Sequence, residues 1–120
     1  MRPHERLNVW KKSIDLSVSI YNVTECFPKR EWYGLAQQLR RASVSVSSNI
    51  AEGSARSSKK EFLHFLAIAQ GSASEIATQI LIAKRLGYVS SEEYRSFYAD
   101  SDEIGRMISG LRKTIISSNE

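Results

Sequence analysis

Apolar residues recur along this chain at intervals of three and four, the spacing of one face of an α-helix, in four tracts separated by short polar stretches. The first tract carries two neighbouring stripes: Leu7, Trp10, Ile14, Val18 and Tyr21 beside Leu16, Ile20, Val23 and Phe27. Together they predict a buried face broader than contact with one helix requires. Phe27-Pro28 closes the tract, and no proline follows it, so the rest of the chain lacks the strongest helix breaker. The second tract, Leu35, Leu39, Ala42, Val46 and Ile50, predicts a helix that stops at Gly53. Within it Ser43-Val44-Ser45-Val46-Ser47 alternates with the period of a strand, but the three-four spacing continues on both sides and favours helix.

The third tract opens on Ser58-Lys59-Lys60-Glu61, a capping box with Ser58 as N-cap and Glu61 reaching back to its backbone. Its stripe is Phe62, Phe65/Leu66, Ala69, Ala73, Ile76, Ile80 and Ala83, ending at Leu86-Gly87. Gly71 in the middle costs about 1 kcal/mol relative to Ala, which predicts close approach of another backbone. A second box, Ser90-Ser91-Glu92-Glu93, opens the fourth tract, a heptad of Tyr94, Phe97, Ser101, Ile104, Ile108, Leu111 and Ile115. The tail from Ser117 to Glu120 is expected to fray. Helices over 5–26, 32–53, 59–86 and 91–116 predict an all-α single domain spanning 1–120, an antiparallel up-down-up-down four-helix bundle. They are too long for a helix-turn-helix module.

A chain of 120 residues, 42% apolar, is long enough to bury a core without staples. No stretch has the uncharged apolar length of a membrane-spanning helix, and no apolar signal-peptide run follows Met1–Arg6. The single cysteine, Cys26, cannot form an internal disulfide and suits a reducing compartment; it is expected as a core thiol in a cytoplasmic protein. Catalytic chemistry finds little support. Glu61-x-x-His64 has the spacing of one ligand pair in di-iron bundles, but such a site needs a second pair, and the other histidine, His4, stands near the N-terminus. His64 is read as a surface or interface residue. No Gly-rich phosphate loop is present, and neither a cofactor nor an enzyme activity is expected.

Two surface features carry more. Polar residues flank the apolar stripes of the second and third helices: Gln38, Arg41, Ser45, Asn49, Glu52 and Arg56 on one, Ser72, Glu75 and Gln79 on the other. In a hairpin centred near residue 56, Gln38 falls opposite Glu75 and Asn49 opposite His64. This is either a solvated face or a hydrogen-bonded polar seam, within a subunit or between subunits, that fixes register. Small residues (Ala67, Ala69, Gly71, Ser72, Ala73, Ser74, Ala77) line more than one face of the third helix and, with the wide first helix, favour a homo-oligomer.

Charge is the second. The net +4 permits a polyanionic partner without demanding one. The predicted topology gathers Arg2, Arg6, Lys11, Lys12, Arg56, Lys59, Lys60, Arg112 and Lys113 at one end, against Glu5, Glu52, Glu61 and Glu120, an excess of +5. The opposite end has Lys29, Arg30, Lys84, Arg85 and Arg95 against Glu25, Glu31, Glu92 and Glu93, an excess of +1. The basic end is the candidate surface for RNA or DNA, neutralising phosphates without reading sequence.

The residues Phe27-Pro28, Glu31, Gly34-Leu35, Gln38-Leu39-Arg40-Arg41-Ala42, Ser45-Val46, Asn49-Ile50-Ala51-Glu52-Gly53, Arg56, Ser58, Lys60-Glu61-Phe62, Phe65-Leu66, Ala69, Gly71-Ser72, Glu75, Gln79 and Leu86-Gly87-Tyr88 resemble small bacterial four-helix-bundle proteins, some of them encoded in intervening sequences of 23S ribosomal RNA genes. The resemblance spans residues 7 to 115; Val46 and Ile76 stand where Ile and Leu are expected. It implies an antiparallel bundle assembled as a ring-shaped homopentamer, and no enzyme activity. The family is also similar in fold to accessory proteins of diversity-generating retroelements, positively charged rings that bind nucleic acid and a reverse transcriptase, which implies by analogy a nucleic-acid enzyme as a further partner. No binding residues carry over. Two functions follow as expectations: an oligomeric module binding RNA or DNA through its basic end, or a scaffolding oligomer with a protein partner. Neither involves a membrane.

Overall fold

The computed structural model describes residues 2–118 and is all-α, with no strand among them. A short 3-10 turn, Pro3–Arg6, precedes four helices: α1 (Asn8–Thr24), α2 (Leu35–Ser54), α3 (Lys59–Arg85) and α4 (Ser91–Ser117). They form a bundle 49 × 22 × 22 Å, whose length exceeds the roughly 40 Å that the 27-residue α3 and α4 span at about 1.5 Å per residue. α3 is the central member, packed against α2 on one side and α4 on the other; α1 rests on α2 and more lightly on α4. By length and composition α3 alone among the described helices could cross a bilayer, but its Leu66, Ala69, Ala73, Ile76, Ile80 and Ala83 are buried in the core.

One core runs the length of the bundle. Leu39, Val46 and Ile50 of α2 meet Leu66, Ile76 and Ile80 of α3 and Ile104 and Ile108 of α4, all solvent-free. Each is on the stripe predicted for its helix. The Ser43–Ser47 run is helical. Val44 is exposed while Ser43 and Ser47 are buried, so the alternation does not coincide with an inner and an outer face. The two serines donate to the carbonyls of Arg40 and Val44 at 2.9 and 3.2 Å, and Ser13, Thr24 and Ser101 do likewise one turn back on their helices. A hydroxyl bonded this way enters a core without leaving an orphaned donor.

The hairpin of α2 and α3 has a register about one turn away from the expected one. Gln38 meets Gln79 rather than Glu75, and Ser45 meets Ser72. Side-chain direction contributes to the offset. Each Cα–Cβ bond leans toward its own helix N-terminus, so in an antiparallel pair the tips lean in opposite senses and meet a few residues from where backbone heights alone would put them.

Other expectations are corrected. Helix 1 was expected from residue 5, but Leu7 is extended and separates the 3-10 turn from α1. Only one of its two stripes is buried: the inner line is Val9, Ser13, Leu16, Ile20, Thr24 and Phe27, while Ile14, Val18 and Tyr21 are 37%, 57% and 43% exposed. Helix 2 begins at Leu35 rather than Trp32. Gly53 lies inside α2, whose last residue is Ser54. It is buried where α3 comes closest: an added Cβ would stand 2.9 Å from Phe65 Cβ and 3.2 Å from the Phe62 carbonyl. Gly71, expected to admit a neighbouring backbone, has open space beside it. Cys26 is exposed, not a core thiol. The tail extends as helix through Ser117, and Asn119 and Glu120 lie outside the described residues.

The helix ends follow their sequences. Ser90 and Glu93 complete a reciprocal capping box, at 2.8 and 3.0 Å. At Ser58 only half the predicted box forms: its hydroxyl accepts from the Glu61 amide, and the Glu61 carboxylate bonds that hydroxyl rather than the backbone. Leu86-Gly87-Tyr88 closes α3 with Tyr88 N–H on Ala83 C=O and Gly87 N–H on Lys84 C=O, the Schellman pattern. Gly87 holds φ +81°, the left-handed region that a Cβ disfavours.

Candidate nucleic-acid interface

The chain brings the α2–α3 turn and the C-terminus of α4 together. Arg56, Ser57, Ser58, Lys59 and Phe62 line a shallow groove of about 320 Å³ with Thr114, Ile115 and Ser118, and Lys59 Nζ donates to the Ser118 carbonyl. The N-terminal 3-10 turn packs against α2 and α1, with its His4 ring 4.8 Å from that of Trp10.

The nine cations assigned to this end differ in their engagements. Arg56 is held between Glu52 at 3.0 Å and Glu61 at 3.7 Å, with its guanidinium 4.9 Å from the Phe65 ring centre. It ties the end of α2 to the start of α3. Lys12 lies part-way along the bundle, 3.6 and 3.5 Å from Asp100 and Glu103 on α4. Arg112 donates to Gln70 Oε1 at 2.9 Å, and its Nε is buried without a partner among the described residues. Arg2, Arg6, Lys11, Lys60 and Lys113 are exposed and make no ion pair among the described residues, and neither does the partly buried Lys59. Lys12 and Arg112 are thus committed to inter-helix contacts. Sequence spacing could not reveal that, since their partners come from other helices.

The polar seam lies between α2 and α3. Gln38, Arg41, Ala42, Ser45, Ser72, Glu75 and Gln79 line a groove of about 300 Å³. Ser72 Oγ donates to Ser45 Oγ at 2.8 Å, and Gln79 Nε2 to Gln38 Oε1 at 3.4 Å. Gln79 is only 9% exposed and its Oε1 has no partner among the described residues. Asn49 turns back along α2 to the Ser45 carbonyl and hydroxyl, at 2.8 and 3.0 Å. Glu52 lies further on, with Arg56. Arg41 and Glu75 are exposed on the rims with no ion pair among the described residues. Ser45, read from the sequence as one of the seam residues, joins the two helices directly.

His64 is exposed, with its ring edge against Phe65 at 5.4 Å. No three His, Cys, Asp or Glu side chains converge as a metal-binding set among the described residues.

The residues of the first and second turns also come together. Glu31 accepts from Leu35 N–H at 3.2 Å and from the Tyr88 hydroxyl at 2.9 Å. Phe27 packs its ring 5.3 Å from that of Tyr88. Thus Phe27, Glu31, Leu35 and Tyr88, quoted above for a family resemblance, form one structural unit. The profile of the family described as 23S rRNA-intervening sequence protein matches residues 5–110. The chain belongs to this family. Among solved structures, the 23S rRNA-intervening sequence chain is similar to a Bacteroides thetaiotaomicron protein of unknown function from the S23 ribosomal protein family. They share 27% identity and superpose with a TM-score of 0.81, over 88% of this chain and 95% of the other. No curated protein matches it.

Proposed function

We propose that this protein is a non-catalytic, oligomeric four-helix bundle, running up-down-up-down, that binds RNA or DNA through its basic end without reading sequence. One observation carries the reading. The last turn of α4 is tied to the α2–α3 turn through Lys59, so Lys60 and Lys113 share one end of the rod with Lys59. Exposed lysines and arginines with no carboxylate partner are suited to displacing counterions from phosphates. Repetition around a ring-shaped homopentamer in the cytoplasm would multiply this charge on one face, and a nucleic-acid enzyme is the partner the fold analogy suggests. The apolar Ile14, Val18 and Tyr21 on the outside of α1, with Val44 on α2, support assembly.

The test is a gel shift of labelled RNA and DNA across a salt series, comparing the wild type with Arg6, Lys11, Lys60 and Lys113 changed together to Ala. Loss of binding in the variant with unchanged helicity supports the reading. Absence of a shift by the wild type at low salt sinks it.

A second reading, a scaffolding oligomer with a protein partner, draws on the same apolar face. Recovery of one stoichiometric protein, free of nucleic acid, would favour it.

A further inference from the structure

The Pro28–Gly34 turn presents two large rings to water. Tyr33 is 91% exposed and Trp32 48%. The sequence pattern placed both within a helix; the structure leaves them outside it. Isolated exposed aromatics are ordinary, but these two are adjacent and stand on a well-fastened support. Glu31 N–H bonds Pro28 C=O at 2.9 Å, Trp32 N–H bonds Lys29 C=O at 3.1 Å and Gly34 N–H bonds Glu31 C=O at 3.0 Å. The Glu31 side chain is held by the Leu35 amide and the Tyr88 hydroxyl. Rings on such a support lose little conformational freedom when something stacks on them.

The surrounding charge points to the kind of ligand. Lys29 Nζ stands 5.8 Å from the Trp32 ring centre, and Arg30 reaches the Tyr88 hydroxyl at 3.4 Å. Neither Lys29 nor Arg30 makes an ion pair among the described residues, and the same holds for Lys84 and Arg85 at the neighbouring end of α3. Three of the four carboxylates at this end are engaged, Glu25 with Arg40, Glu31 as above, and Glu93 with the Ser90 amide, and the fourth, Glu92, is exposed. Aromatic faces interleaved with unpaired cations match the π-faces and phosphates of an unpaired strand. A duplex keeps its bases stacked on each other and offers only its backbone.

We propose that Trp32 and Tyr33, with Lys29 and Arg30 beside them, are a stacking contact for unpaired bases of a single-stranded nucleic acid, at the opposite end of the bundle from the basic end. The inference extends the proposed function and rests on nucleic-acid binding, but on different residues. Tryptophan fluorescence of a Trp10→Phe protein, in which Trp32 is the sole reporter, is titrated with a short single-stranded oligouridylate and with duplex RNA of equal length. Quenching by the single strand and little by the duplex is expected. Tyr33→Ala and Trp32→Ala, assayed by gel shift in the otherwise wild-type chain, each weaken single-strand binding about five- to a hundredfold, while Tyr33→Phe retains it. Equal quenching by the duplex overturns the proposal. So does unchanged affinity in the double alanine variant, and if that variant instead shifts the sedimentation of the assembly, the rings are a protein contact. Should the fourfold basic-end variant lose binding while the ring variants keep it, the stacking contact falls and the broader function stands; a wild type that binds nothing removes both.

Discussion

The Tyr88 hydroxyl donates to Glu31 Oε2 at 2.9 Å and so joins the turn after α3 to the turn before α2. Glu31 is also the acceptor at the first turn of α2, where a carboxylate is favoured by the helix dipole. One side chain therefore holds two loops. Tyr88→Phe removes this bond and the longer 3.4 Å bond that the hydroxyl accepts from Arg30, both in a partly exposed setting, and is expected to cost about 1 kcal/mol. Glu31→Ala removes both bonds to the Glu31 carboxylate and is expected to cost about 2 kcal/mol. Urea unfolding at fixed protein concentration measures both; equal midpoints for the two variants would contradict the double role.

Three glycines should respond differently to alanine. At Gly53 the new Cβ meets Phe65 Cβ and the Phe62 carbonyl, and destabilisation of about 1–3 kcal/mol is expected despite better helix propensity. Gly87→Ala is strained by the positive φ and should lose about 1 kcal/mol. At Gly71 nothing is near, so the subunit should gain up to about 1 kcal/mol. If Gly71→Ala instead weakens assembly, the open space beside it is where another copy sits.

Gln79→Met tests the polar seam. Among the described residues the amide oxygen is buried without a partner and its amino group makes only a 3.4 Å bond. Exchanging such a group for an apolar one of similar shape should change stability by less than about 1 kcal/mol and could raise it. A large loss in chemical denaturation would mean that an unseen donor satisfies that oxygen.

Val18→Glu addresses the outer stripe of α1. Val18 is 57% exposed, so within one subunit the change should matter by no more than about 0.5 kcal/mol. In an assembly that buries this stripe, the new charge should dissociate it. Sedimentation velocity distinguishes the two: an unaltered particle size for the variant means the stripe faces solvent.

Salt dependence separates the cations at the basic end. Each of Lys60→Ala and Lys113→Ala should lower the slope of log affinity against log salt by about one. Lys12→Ala should not, because Lys12 is occupied by Asp100 and Glu103. A slope change at Lys12 equal to that at Lys60 would contradict this assignment.

Periodicity made α3 and α4 legible almost to the residue, since the capping serines Ser58 and Ser90 mark their starts and each predicted stripe lies against the core. It misjudged α1, because Ile14, Val18 and Tyr21 have the same spacing as a buried line. Apolar spacing alone does not separate a core from a contact awaiting a partner. Trp32 and Tyr33 fall in the helix predicted over 32–53, though Gly34 stands between them and α2. The polar residues of α2 and α3 could be read as a seam, but their exact partners depended on the lean of side chains. The cations of the basic end were visible as a group; which of them are tied to other helices was not.

Fastening along the rod is uneven. Glu31 and Tyr88 lace one end, and Arg40 reaches the last turn of α1 through Thr24 and the Tyr21 carbonyl at the same end. At the other, Arg56 ties α2 to α3 through Glu52 and Glu61, but α4 is moored to the α2–α3 turn by a lysine on a backbone carbonyl near its tip. Amide hydrogens should therefore exchange fastest at the C-terminal tip of α4. A polyanion arriving there would act as a clamp, and its grip would register as slowed exchange well beyond the residues it touches.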